Sequence, residues 1–199
     1  VPTDLQKEIL ESEKVKGEVF VVGNTIADSL KGFNVLGSEN KEKILATIHR
    51  PENVDNKENL VKLLEGFKSL APEKIVLPIH PRTKDKVETF GLEIPSNVEV
   101  VEPVGYNEFL SMMKGSKLIM TDSGGIQEEA CILGVPCVTL RDDTERPETI
   151  ELGSNVLVGC DPEKIKEGVT SMLGKEKTWK SPYGEDVSSK ILDIIIKHS

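Results

Sequence analysis

Aromatic residues are scarce in this chain, with five Phe, two Tyr and one Trp among 199 residues. So few rings exclude the stacking platforms on which single-stranded nucleic acid is bound. Positive charge is also in deficit, and the net charge of −9 disfavours bulk attraction to nucleic acid or to an anionic membrane. A phosphate ligand would have to be held by local donors. Cysteine is limited to Cys131, Cys137 and Cys160, an odd number without a C-x-x-C pair. That usage points to a reducing, cytoplasmic setting, with Cys131 and Cys137 as small buried apolar residues. No apolar run approaches the ~18 residues that a membrane-spanning helix needs. No signal peptide is evident, and a chain that opens on Val1 reads as a piece of a longer or processed protein.

What is present suits one globular domain with an appendage: 37% of residues are apolar and 30% charged. Pro2 to Glu13 carry Leu5, Ile9 and Leu10 at helical spacing, which predicts a helix with one apolar face. "EVFVV" (18–22) reads as a short strand, Ile26 to Lys31 as a helix, and "FNVLGSENK" (33–41) as a loop or linker. Six short apolar runs follow: "KILATI" (43–48), "KIVLPI" (74–79), "VEVVE" (98–102), "KLIMT" (117–121), "PCVTL" (136–140) and "NVLVG" (155–159). They are short and rich in Val, Ile and Leu, as strands covered on both faces are.

Helical patterns lie between the runs. One places Leu60, Leu63, Leu64 and Phe67 together, and another places Ile126, Ala130 and Leu133 on one face. A last helix, "SSKILDIIIKHS", follows the breaker segment "KTWKSPYGED". The alternation predicts an α/β fold, a Rossmann-like doubly wound parallel sheet. Residues 1–38 are expected to lead in, 39–180 to form the sheet domain, and 181–199 to supply a terminal helix.

Ligands of such sheets bind beyond the carboxyl ends of the strands, and that edge gathers the reactive residues. "HRPENVDN", "HPRTK", "PVGY", "DSGG" and "RDDTERPE" follow the first five runs. Ser123 stands where a helix N-cap belongs, its hydroxyl expected to satisfy a first-turn amide. Gly124 and Gly125 leave amides open at the positive end of the helix, an anion site suited to a diphosphate. A capped turn without any ligand accounts for these three residues equally well. Glu129 lies one turn further, about 6 Å along the axis at ~1.5 Å per residue, where a carboxylate could accept both hydroxyls of a ribose.

Glu128 points about 100° away and is expected to be solvated. Arg146 is the candidate for reaching the same diphosphate, with Pro147 opening a short helix behind it. A solvated charge run is the competing reading of that segment. His49 is the candidate proton donor to a leaving phosphate. A metal site lacks the expected ligand spacing, and the G-x-S-x-G elbow of Ser-His-Asp hydrolases is absent.

Together, "HRPEN", "PIHPRTK", "EPVGYNEF", "TDSGGIQEEA" and "LRDDTERPET", in this order, resemble the carboxyl-terminal half of the non-hydrolysing UDP-N-acetylglucosamine 2-epimerases. "ACILGVPCVTLRDDTERPE" is most like archaeal members, and the resemblance runs from "VPTDLQKE" to "SPYGED". It implies the C-terminal domain of a two-domain GT-B fold and an isomerase of polysaccharide biosynthesis. Such enzymes interconvert UDP-GlcNAc and UDP-ManNAc by eliminating UDP to 2-acetamidoglucal and adding it back, without a cofactor. By resemblance Ser123, Gly124 and Gly125 hold the diphosphate, Glu129 the ribose and Arg146 the phosphates. Val104 and Phe109 bound the uracil, and His49 is the active-site histidine. Arg50 and His80 match positions that in bacterial members help bind a second UDP-GlcNAc as activator.

The family's carboxylates for moving the C2 proton belong to its N-terminal domain, outside these 199 residues. The isolated chain is therefore expected to be inactive, with at most weak UDP binding. The terminal helix is expected to cross back to that domain, and without it Ile191, Leu192, Ile194, Ile195 and Ile196 would favour a homodimer. A hydrolysing epimerase, a GT-B glycosyltransferase half and a non-catalytic nucleotide-sugar module are the rival readings.

Overall fold

The computed structural model describes residues 1–33 and 42–198, so most of the expected linker at 33–41 lies outside the described residues. The chain forms two compact units, one of Val1–Asn34 with Trp179–Ser199 and one of Val35–Thr178. Helices α1 (Asp4–Ser12) and α2 (Ile26–Gly32) come first in the chain. The strands are β1 (Ile44–Thr47), β2 (Ile75–Pro78), β3 (Val98–Val101), β4 (Leu118–Thr121), β5 (Cys137–Thr139) and β6 (Asn155–Leu157). Between them run α3 (Pro51–Val54), α4 (Lys57–Ser69), α5 (Pro81–Phe90), α6 (Tyr106–Lys114), α7 (Gly124–Leu133) and α8 (Pro147–Glu151). Helices α9 (Pro162–Met172) and α10 (Val187–His198) follow.

Each apolar run became a strand of one sheet in the order β3-β2-β1-β4-β5-β6, and every pairing is parallel. This bears out the doubly wound reading. The strand order reverses between β1 and β4, the topological switch point where the loops diverge and leave a crevice.

Pleating divides the strand residues between two faces. Ile44, Ala46, Ile75, Leu77, Leu118, Met120 and Val138 join one core cluster with Leu60, Leu63 and Phe67 of α4 and Ile165, Val169 and Met172 of α9. Gly66 permits that close helix pair, because a Cβ there would fall 2.6 Å from Ile165 Cδ1. Leu45, Val76, Ile119 and Cys137 on the other face are also buried; α7 packs there against β4 and β5, and α6 against α7. Full burial of each such side chain contributes about 1.5–3 kcal/mol.

The expectation of strands covered on both faces fails at β3, where Glu99 and Val100 are exposed. That strand is one of the two sheet edges, and it carries an ion pair from Lys43 to Glu99, a charge that discourages pairing with another chain.

The smaller unit departs further from the sequence reading. Helix α1 has no fully buried residue: Leu5 and Leu10 of its expected apolar face are half-buried and Ile9 is exposed. "EVFVV" forms no strand with any other described residues; the Val1 amino group donates to Phe20 O and Val22 N to Val1 O. Tyr183 is fully buried and its carbonyl accepts from Asn24 N. Gly23, at φ +97°, is required there, since a Cβ would fall 2.3 Å from that carbonyl oxygen. Asp28 caps α10, accepting from the Val187 and Ser188 amides and the Ser188 hydroxyl. The amide and hydroxyl of Ser188 hold its carboxyl below the ordinary range. Leu192, Ile195 and Ile196 of that helix are 57%, 56% and 67% exposed, which leaves an apolar stripe on the surface.

Because Phe67 is fully buried between sheet and helices, Phe67→Ala is expected to lower stability by about 3–5 kcal/mol. Urea unfolding checks this as a fall in midpoint at an unchanged slope.

Candidate functional site

The site is assembled where β1 and β4 end side by side. Thr47 and Thr121 close these strands with their hydroxyls 2.7 Å apart, and the next residue on β4 is Asp122, which is 0% exposed. Its Oδ2 accepts from the amides of His49 and Arg50, both at 2.9 Å, and from Asn53 Nδ2 at 3.2 Å. Asn53 also donates to Leu140 O at 3.0 Å, beyond β5. Asp122 Oδ1 lies 3.1 Å from His49 Nδ1, without a formed hydrogen bond among the described residues. Burial alone would push this carboxyl up. The His49 side chain and the Arg50 and His49 amides outweigh that and hold it below the ordinary range. One buried anion thus ties three strand ends together. The sequence reading passed over Asp122; its signal was a carboxylate directly after an apolar run, where solvation is least available.

His80 follows β2 and caps α5, its Nδ1 accepting from Arg82 N at 3.1 Å. The His49 and His80 rings stand 5.5 Å apart between centroids. Arg50 follows His49 in the chain; its Nε is buried without a hydrogen-bond partner among the described residues, and its charge helps to hold the Glu145 carboxyl low. Arg82 instead turns to Asp55 in a two-pronged ion pair, which fixes the α3–α5 corner.

Helix α7 begins at Gly124 as read, but the capping expectation for Ser123 is corrected. Ser123 occupies the N-cap position without a side-chain cap bond. Its own amide donates to Thr121 Oγ1 at 3.0 Å, so threonine closes the turn and the serine hydroxyl is not committed to the helix. A Cβ on Gly125 would meet nothing within 4 Å, and one on Gly124 would meet Glu145 Oε2 at 3.4 Å. The positive start of the helix therefore has an internal carboxylate beside it. Arg141 holds Glu145 through Nη1 at 3.0 and 3.1 Å and also binds Asp143 at 2.8 Å. The Glu145 carboxyl is held low by its own amide and, against burial, by Arg141.

Glu129 is buried and its Oε1 accepts from the Tyr106 hydroxyl at 2.7 Å. Burial raises its carboxyl above the ordinary range; Tyr106 opposes this and Glu128 adds to it. Burial and Glu129 also push the Tyr106 hydroxyl up. Tyr106 opens α6 and was missed by the sequence reading, although it is one of two tyrosines in the chain. Phe109 is half-buried on the same helix, and Val104 half-buried in the turn before it.

The solvated reading of Glu128 is wrong: it is buried and pairs with Arg146, Oε1 to Nε at 2.5 Å. The cause is α8, which packs on α7 and covers the direction that a 100° rotation reaches. Arg146 also donates from Nη1 to Glu145 O. Gln127 completes the tie, its Oε1 accepting from Thr144 Oγ1 and Asn155 Nδ2.

Chemically, this edge offers bare helix-start amides, two arginines already satisfied by acids, a buried carboxylate on a tyrosine, and two adjacent imidazoles. Among the described residues no group of three or more His, Cys, Asp or Glu is gathered to hold a metal ion. Likewise, no helix among them is long and apolar enough to cross a membrane. With Glu129 raised above its ordinary 4.5, the folded chain keeps that proton to higher pH than the unfolded chain. Its contribution to stability is therefore lost as pH rises through this range. Glu129→Gln is expected to raise the thermal midpoint at pH 7, with the gain vanishing at pH 4, as followed by circular dichroism.

Comparison with known proteins agrees with this layout. The family model described as UDP-N-acetylglucosamine 2-epimerase matches residues 1–196. The UDP-N-acetylglucosamine 2-epimerase of Methanocaldococcus jannaschii is 46% identical over 95% of this chain and 57% of its own length. That of Methanococcus maripaludis is 43% identical over 97% and 57%. The crystal structure of the M. jannaschii UDP-GlcNAc 2-epimerase in complex with UDP-GlcNAc and UDP superposes with a TM-score of 0.90 at 42% identity, covering 100% of this chain and 60% of that one. The chain thus spans about 57% of the length of these curated relatives, and it belongs to the UDP-N-acetylglucosamine 2-epimerase family.

Proposed function

We propose that this chain is the nucleotide-binding half of a non-hydrolysing UDP-GlcNAc 2-epimerase that interconverts UDP-GlcNAc and UDP-ManNAc. The observation that carries the reading is α7, whose glycine start and buried Glu129 lie at the switch point of a chain matched by the epimerase family model throughout. A diphosphate on Ser123, Gly124 and Gly125 places the ribose diol one turn along, on Glu129. Tyr106 keeps that carboxylate oriented. Val104 and Phe109 bound the uracil. Arg146 takes a phosphate oxygen by sharing itself between the ligand and Glu128.

In the reaction, a base removes the C2 proton, its electron pair forms C1=C2, and the C1–O pair leaves with UDP. In the return step the UDP oxygen re-forms its bond to C1 while an acid delivers a proton to the opposite face of C2, which gives the epimer. This half holds the departing UDP, and His49 hydrogen-bonds or protonates its phosphate. The C2 acid and base come from an N-terminal domain, so the 199 residues alone bind UDP weakly and do not turn over. Arg50, with its orphaned buried Nε, and His80 are the proposed contacts of a second, activating UDP-GlcNAc. Residues 1–38 lead in from the N-terminal domain and 181–199 return to it. The exposed Leu192, Ile195 and Ile196 support that role, or a homodimer when the partner domain is absent. The assignment is to a cytoplasmic enzyme feeding polysaccharide biosynthesis.

Calorimetric titration with UDP tests the site. Glu129→Ala and Arg146→Ala should each weaken binding at least tenfold, about 1.4 kcal/mol. Unchanged affinity in both variants overturns the assignment. In a protein carrying both halves, UDP-ManNAc is the expected product. Free ManNAc with UDP would mean a hydrolysing enzyme.

A further inference from the structure

The two oxygens of Asp122 are unlike. Oδ2 is saturated by three donors, the His49 and Arg50 amides and Asn53 Nδ2. Oδ1 is buried and, among the described residues, has no aligned hydrogen-bond partner; the polar atom beside it is His49 Nδ1, 3.1 Å away. A bare Nδ1 would point its lone pair at a buried anion and leave that oxygen desolvated without compensation. A proton on Nδ1 removes both faults with a small rotation of the ring. In the neutral imidazole the lone pair is then on Nε2.

His80 is held the other way. Its Nδ1 accepts from the Arg82 amide at 3.1 Å, and an amide N–H cannot accept. In neutral His80 the proton is therefore on Nε2. The two rings are neighbours, 5.5 Å apart between centroids and inclined at 34°.

We infer that the strand ends fix His49 and His80 in opposite neutral tautomers, with Asp122 the positioning residue that makes His49 Nε2 the atom that exchanges a proton with a ligand. His49 Nε2 accepts, whereas His80 Nε2–H donates without exchanging. Resting on the epimerase reading, the step is balanced. Nε2–H of the His49 imidazolium passes its proton to a phosphate oxygen of the departing UDP, leaving neutral His49 with Nδ1–H still on Asp122. Re-addition returns the proton to Nε2. The same logic holds the imidazole tautomer in Ser-His-Asp triads, where a buried aspartate sets which nitrogen works.

Asp122→Asn turns this into a sharp test. Three donors converge on Oδ2, so the asparagine carbonyl must take that place. Its NH2 then faces His49 Nδ1, which becomes an acceptor, and the imidazole proton moves to Nε2. Long-range 1H–15N correlation spectra of the 199-residue chain at alkaline pH report the tautomers directly. The chain has three histidines, and His49→Gln and His80→Gln assign the two signals. Wild type should show a pyrrole-type Nδ1 and pyridine-type Nε2 in His49, and the reverse in His80. Asp122→Asn should invert His49 alone.

A pyridine-type Nδ1 in wild-type His49 overturns the inference. So does an unchanged His49 in an Asp122→Asn chain whose amide spectrum stays dispersed. If that variant fails to fold, the wild-type spectrum still decides. Adding UDP to the same sample separates the two ideas: correct tautomers with no UDP binding sink the nucleotide reading and leave this one standing.

Discussion

The tie made by the Asp122 carboxylate is the constraint on which this structure turns. Where the order of a doubly wound sheet reverses, the loops after the two neighbouring strands diverge and leave a crevice; here β1 and β4 are paired along their length, but the loops beyond them are outside the ladder. Asp122 supplies the missing connection with one buried anion, and Asn53 extends it to the end of β5. The crevice therefore has rigid lips, and His49 and the start of α7 keep a fixed separation. An ion buried so fully is tolerated because it is met by amides and an imidazole rather than left to the apolar sheet.

Around that tie the site is charge-compensated. Arg141 is held by Glu145 and Asp143, and Arg146 by Glu128. In a chain of net charge −9, acids at this edge without such cationic partners would repel an anionic ligand. On the proposed function, an incoming diphosphate would exchange partners with these pairs rather than fill an empty basic pocket. The affinity of the isolated chain would then reflect a difference between two well-paired states, in keeping with the weak binding proposed for this half.

Much of this was legible in the sequence. The six strands were, because each is a short apolar run between polar turns, and burial on both faces writes that pattern directly. The gathering of histidine and arginine at the carboxyl edge was legible too, since loop positions follow from strand ends. Glu128 was not: its fate depends on α8 covering one side of α7, a tertiary fact that helical periodicity does not encode. Ser123 misled for a subtler reason, since Thr121 sits two residues earlier and closes the same turn. "EVFVV" has the composition of a strand and, among the described residues, no strand to pair with. β3 shows the same limit in reverse, a true strand whose edge position exposes half its residues.

Gly125 has a consequence beyond geometry. Its backbone is helical and an added methyl group would touch nothing, so no feature of the ligand-free fold asks for glycine there. Alanine in its place would favour the helix by about 0.5–1 kcal/mol. The chain carries a standing handicap at that position, and selection for stability alone would erase it. On the proposed function that open space is the room a diphosphate needs against the backbone, and the lost helix stability is what the chain gives up to keep it.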